Sequence, residues 1–178
     1  MEGGNGWRGR YRVDGYFVRE GILAPSEVEA LRARVREYTH GDRPRGAMRF
    51  QTEPRVSRGE LAAAHPPDAV RKIEGLVEHD DLFRALALRE EVVATAREFL
   101  GPDLKLYRNA LLLKPPRVGS AKGLHQDSPY WTIEPMSLCS CWIALDDADE
   151  ANGCMMVVPG AHAGGPLPHK NVQDDFVI

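Results

Sequence analysis

The chain has 178 residues, 43% hydrophobic and 28% charged, which is enough for one compact domain and too little for two large ones. That apolar fraction excludes wholesale disorder, and 23 Lys and Arg against 26 Asp and Glu leave a net charge of −3, with no basic surface for phosphate backbones. No apolar run approaches the roughly 18 residues of a membrane helix, and the polar, glycine-rich start holds no signal-peptide core. Three cysteines suit a reducing compartment, so a soluble cytoplasmic protein, binding neither nucleic acid nor membrane, is expected.

Residues 1–103 read as a helical part and residues 104–178 as strand and loop, together one domain. Residues 11–23 suggest a brief entry helix or turn. Pro25-Ser26 opens a clear helix, with Ser26 and Glu29 spaced as a capping box. Val28, Leu31, Val35 and Tyr38 form one helical stripe, and Gly41 is a suitable terminator. Residues 42–67, rich in Arg, Pro and Gly, read as a long loop bordering a pocket. Helical spacing resumes at Val70, Ile73 and Val77, and again from Leu82 to Leu100, where Gly101-Pro102 stops it.

Beyond Leu104 the texture changes. LKLYRNALLLK is a long extended candidate cut off by Pro115-Pro116. LCSCWIAL (138–145) and CMMVV (154–158) follow as strands, joined through Asn152-Gly153, and Pro159-Gly160 ends the second. VQDDFVI begins a fourth.

The chemically informative pattern is a histidine and a carboxylate two residues apart. On extended backbone both side chains leave the same face and reach one metal ion. With a second histidine they make the facial triad of non-haem Fe(II) oxygenases. Chance alone gives about 0.4 such pairs in a chain of this composition; three occur, His40-Gly-Asp42, His79-Asp-Asp81 and His125-Gln-Asp127. His40 sits at a helix C-terminus, where the dipole favours an imidazolium. Asp81, or alternatively Asp80, stands just before Leu82-Phe83, where the next helix needs an N-cap. His125 and Asp127 have no such explanation and remain the metal candidates.

The surrounding sequence, KPPRVGSAKGLHQDSPYWTIEP, then CWIALDDADEANGCMMVVPGAH and GPLPH, resembles the phytanoyl-CoA dioxygenase family of Fe(II)/2-oxoglutarate oxygenases. RKIEGLVEHDDLFRALA and LGPDLKLY upstream extend the likeness from about Asp14 to His169. The resemblance implies an α+β fold, with N-terminal helices packed on a partial double-stranded β-helix, or jelly roll. It implies His125 and Asp127 as iron ligands, Trp142 and Gln126 beside the co-substrate 2-oxoglutarate, and hydroxylation of a small organic molecule. Strand parity agrees: Trp142 shares a face with Ser140 and Ala144, opposite the apolar Cys139, Cys141, Ile143 and Leu145.

Two family features are missing. After Asp127 the only histidines are His162 and His169, and no arginine follows Arg117, so the distal histidine ligand and the arginine for the far carboxylate of 2-oxoglutarate have no counterpart. Truncation of a longer enzyme is the preferred expectation, with self-association through open strand edges; a short paralogue using His169 as third ligand is the rival. A non-catalytic jelly-roll pseudoenzyme or small-ligand-binding module is the alternative function, and a cupin-like metal hydrolase or isomerase a third.

The other candidates weigh less. Cys139, Cys141, Cys154 and His162 fit no common zinc spacing. Asp146, Asp147, Asp149 and Glu150 read as a solvated turn. Tyr130 and Trp131 are candidate walls of the substrate pocket, with core filling the equal alternative. Lys114 and Lys122 flank the proline-rich loop and are candidates for contact with an anionic substrate, although exposed lysines are common.

Overall fold

The computed structural model describes residues 6–131, 133–172 and 175–178. The chain divides into two compact units. One comprises residues 23–121 and 139–153; the other comprises residues up to 22, 122–138 and 154–178.

The first unit holds the principal core. Helix α2 (Pro25–His40) follows α1 (Gly6–Asp14), which belongs to the second unit. The cap of α2 falls one residue earlier than the Ser26 spacing suggests. Ala24 is the N-cap, Pro25 takes the first helical position, and the Glu27 carboxylate reaches back to the Ala24 N–H at 2.7 Å. Gly41, at φ 86°, ends the helix as expected.

The stretch 42–67 is not one loop. Strand β1 (Arg49–Thr52) and a single turn α3 (Pro54–Ser57) interrupt it. The helix expected at Val70 is strand β2 (Val70–Glu74), followed by the short α4 (Leu76–His79). The reason is non-local. β2 lies between β1 and β3 (Ala110–Leu112) in an antiparallel sheet, a partnership that spacing within the segment cannot report. Phe50, Ile73 and Leu111 are paired across the three strands, and a register shift between Gln51 and Thr52 bends β1. The neighbouring rows pair Arg49 with Glu74 and Ala110, and Gln51 with Lys72 and Leu112.

Ile73 is fully buried with Leu31, Tyr38, Met48, Val70, Leu76 and Phe83, so α2 and α5 (Asp81–Ala87) close over the sheet. Asp81 is the first helical residue, and Asp80 rather than Asp81 caps α5, accepting from the Leu82 and Phe83 N–H groups. Its other oxygen accepts from the Tyr38 hydroxyl at 2.8 Å and from Arg34. Helix α6 (Glu90–Leu100) completes the helical part, and Arg89 ties its start to Glu27 at 2.6 Å.

Of the extended segment 104–114, only Ala110–Leu112 joins a ladder. The strands expected at 138–145 and 154–158 are not formed: neither segment joins a ladder among the described residues. Cys139, Ile143 and Leu145 are partly buried while Ser140, Trp142 and Ala144 are exposed, which follows the expected parity; Cys141, exposed, departs from it. Leu145 packs against the core.

The second unit contains α1, two short 3-10 turns and an antiparallel hairpin of β4 (Lys170–Val172) and β5 (Asp175–Val177). Part of the segment read as VQDDFVI, at 173–174, lies outside the described residues. The turn after Pro159 is fastened to α1: the Gly160 N–H donates to the Asp14 carbonyl at 2.8 Å, and His162 Nε2 lies 3.1 Å from the Arg12 carbonyl. The architecture is therefore a helix-and-sheet fold with small antiparallel sheets. No helix among the described residues is long and apolar enough to cross a membrane.

Candidate metal centre

His125 and Asp127 lie in the second unit, on a stretch without ladder bonds that turns immediately into a 3-10 turn, Ser128–Tyr130. Asp127 already has helical backbone angles, φ −70° and ψ −38°, because its carbonyl accepts the Tyr130 N–H at 3.0 Å. The pair thus converges through a turn rather than along a strand. His125 Nε2 stands 3.6 Å from Asp127 Oδ1, and both side chains are partly open to solvent.

The ring of His125 is oriented. Its Nδ1 lies 2.8 Å from the Gly123 carbonyl, which can only accept, so Nδ1 carries the proton and donates. The neutral ring then has its lone pair on Nε2, the nitrogen that faces Asp127. A backbone carbonyl fixing one ring nitrogen so that the other binds metal is the usual support of a ligating histidine. Two donors sharing a metal ion at about 2.1 Å each stand about 3.0–3.4 Å apart, so the observed gap needs only a small adjustment. The pair fits two coordination positions of a divalent transition metal. Among the described residues no group of three or more His, Cys, Asp and Glu side chains is placed to hold an ion.

Gln126, between the two, is held at three points. Its backbone N–H donates to His169 Nε2 at 2.9 Å, its Nε2 to the Gly165 carbonyl at 3.0 Å, and its Oε1 accepts the Leu167 N–H at 2.7 Å. One amide hydrogen is left over from these contacts. Tyr130 sets its ring edge-on to His125, centroids 5.7 Å apart, and to His169 at 6.3 Å. The structure therefore brings His125, Gln126, Asp127 and Tyr130 together. Trp131 follows them and is half-buried. Trp142 belongs to the first unit, where half of its surface is exposed.

Gly165 and Leu167 enter this arrangement through backbone groups, which residue types do not advertise. His169 drew notice only as a possible ligand. Its Nδ1 lies 2.7 Å from the Leu167 carbonyl, so that nitrogen donates and Nε2 accepts from Gln126. Both ring nitrogens are engaged within the protein. Lys114 reaches the Gly153 carbonyl at 3.2 Å, bracing the turn at 149–153. In that turn Asp149 and Asn152 exchange two side chain to backbone bonds of 2.9 Å.

His125 and Asp127 thus form a histidine and carboxylate pair on a loop held by hydrogen bonds to Gly123, Gly165, Leu167 and His169. The profile of the phytanoyl-CoA dioxygenase (PhyH) family matches residues 11–177, and the chain belongs to that family. It is 30% identical over 165 residues to peroxisomal phytanoyl-CoA dioxygenase of Mus musculus, covering 89% of this chain and 47% of that protein. Ectoine dioxygenase of Stutzerimonas stutzeri (strain A1501) is 30% identical over 159 residues, covering 86% of this chain and 48% of the relative. A probable alpha-ketoglutarate-dependent hypophosphite dioxygenase of Stutzerimonas stutzeri is 26% identical over 163 residues, with coverages of 92% and 55%. The chain spans about half the length of these curated relatives. No solved structure matches it significantly.

Proposed function

We propose that this chain carries the metal-ligand loop of a Fe(II)- and 2-oxoglutarate-dependent dioxygenase that hydroxylates a small organic molecule. His125 and Asp127 are its first two iron ligands. The observation that carries the reading is the His125 ring, whose Nδ1–H is spent on the Gly123 carbonyl while Nε2 faces Asp127 at 3.6 Å. The names of the relatives support the reaction class, and one names alpha-ketoglutarate, the same compound as 2-oxoglutarate, as its co-substrate. Bound ferrous iron and 2-oxoglutarate would let dioxygen oxidise the substrate, one oxygen atom entering a C–H bond and the other ending in succinate as CO₂ is released.

The chain's own residues do the positioning. The loop from Gly123 to Tyr130 presents imidazole and carboxylate together, and Tyr130 forms a wall beside them. Gln126 and Trp142 are proposed to face the co-substrate, Gln126 through the Nε2 hydrogen not bonded to Gly165. Trp131 is proposed as the second wall of the substrate pocket. The proposal places these elements on a double-stranded β-helix.

Anaerobic Fe(II) titration with 2-oxoglutarate tests the reading. Iron affinity should fall in His125→Ala and Asp127→Ala, and a weak visible charge-transfer band belongs to the complete ligand set. Iron affinity indifferent to both substitutions would sink it and leave a non-catalytic binding module.

A further inference from the structure

We infer that His169 is a positioning residue for the metal-ligand loop, acting through the backbone amide of Gln126 rather than on the metal. The inference rests on the reading of His125 and Asp127 as ligands and adds a residue to it. The N–H that His169 accepts belongs to the peptide joining His125 to Gln126. Fixing that N–H fixes the peptide plane, and with it the direction in which the His125 side chain leaves the backbone. The Gln126 side chain bonds the same segment at Gly165 and Leu167, so the loop is gripped between its two ligands by residues 165–169.

The tautomer suits the task. The Nδ1–H of His169 donates to the Leu167 carbonyl, 2.7 Å away, which leaves an acceptor lone pair on Nε2 aimed at the amide. A ring used in this way does not offer that lone pair to an ion. Tyr130, edge-on to both imidazoles, sets their spacing. His169 therefore stands as a brace, in place of the substitute ligand that its position in the sequence also suggested.

The experiment compares His169→Ala with His169→Gln in the full chain, because a glutamine Oε1 can occupy the place of Nε2 and accept the same N–H. Two readouts are taken. Co(II) affinity, an oxygen-stable stand-in for Fe(II), is titrated by visible absorption, and amide hydrogen exchange at Gln126 is followed without metal. His169→Ala should weaken Co(II) binding by about 10- to 100-fold, the usual cost of removing such outer support, and should expose the Gln126 amide to exchange. His169→Gln should stay near wild type in both.

Unchanged affinity or a still-protected amide in His169→Ala overturns the inference. Equal loss of affinity in both variants means direct ligation and overturns it as well. Should the alanine variant fail to fold, the Gln126 amide decides: protection in both wild type and His169→Gln supports the brace, and its loss in His169→Gln refutes it. His125→Ala and Asp127→Ala run alongside. If they bind Co(II) as wild type does, the ligand assignment fails, while the exchange result still judges the brace by itself.

Discussion

The carboxylate of Glu74 on β2 accepts a hydrogen bond from the guanidinium of Arg108, 34 residues further along the chain. Lys72, 2.7 Å away, and Arg49, 3.0 Å away, complete a ring of three cations around this nearly buried acid. Burial pushes its carboxyl up, but the hydrogen bonds from Lys72 and Arg108 outweigh that and hold it down at about 2. Because the folded value lies below the unfolded one, the stabilisation is complete above about pH 4.5. It is lost as pH falls toward 2, an effect of up to about 3 kcal/mol. Thermal melts between pH 6 and 2 should show this decline, and Glu74→Gln should melt lower at pH 7 with a flatter acid limb. A variant with the wild-type profile would remove Glu74 from the account.

Asp80 does two jobs at once, capping α5 and receiving Tyr38 and Arg34. Burial raises its carboxyl, yet the bonds from Tyr38, Arg34 and the Phe83 N–H prevail and leave it below the ordinary range. Asp80→Ala strands a phenol, a guanidinium and two helix-start amides, and should destabilise by about 3–5 kcal/mol. Asp80→Asn keeps the cap and should fall between. Urea denaturation of the three proteins gives the order, and an alanine variant as stable as the asparagine one contradicts it.

Gly15 has a positive φ of 81°, and a Cβ there would come within 2.4 Å of the His162 ring. Gly15→Ala should therefore detach α1 from the turn at 158–162, at a cost of about 1–3 kcal/mol. Limited proteolysis would reveal it as faster cleavage within residues 6–18. Unaltered cleavage means that the helix is held by other contacts.

Glu53 is 1% exposed, and its Oε1 has no hydrogen-bond partner among the described residues. A buried carboxyl oxygen without a hydrogen-bond partner is costly, so Glu53→Met, of similar volume, should be neutral or stabilise by up to about 2 kcal/mol. Differential scanning calorimetry reads the change directly. A marked fall in melting temperature would mean that the carboxylate has an unrecognised role.

The features legible in the sequence were those written in local chemistry. The stripe Leu31, Val35, Tyr38 with Gly41 behind it gives α2, and the Asp80-Asp81 pair before Leu82-Phe83 gives the cap of α5. In the decoy pair of His79 and Asp81, the Asp81 carboxylate is exposed and pairs with Arg84 at 2.9 Å. What escaped was non-local. Val70, Ile73 and Val77 repeat at helical spacing, yet Ile73 is the middle of a three-strand ladder whose partners Phe50 and Leu111 lie 23 and 38 residues away. β1 was hidden inside a stretch that composition marked as loop. At the candidate site the residue types identified His125 and Asp127. The carbonyls of Gly123 and Gly165 and the amides of Gln126 and Leu167 carry no signature in the letters.

The β1–β2–β3 sheet alternates one oily row, Phe50–Ile73–Leu111, with rows bearing Arg49, Glu74 and Lys72. Sliding β2 by one residue would thrust an ammonium or a carboxylate among Leu31, Tyr38 and Phe83, and would cast Ile73 out among the charges. Misaligned zippering is therefore self-rejecting. A chain paired at the wrong offset would have to bury a charge as the helices close, so only the native alignment is compatible with the finished core.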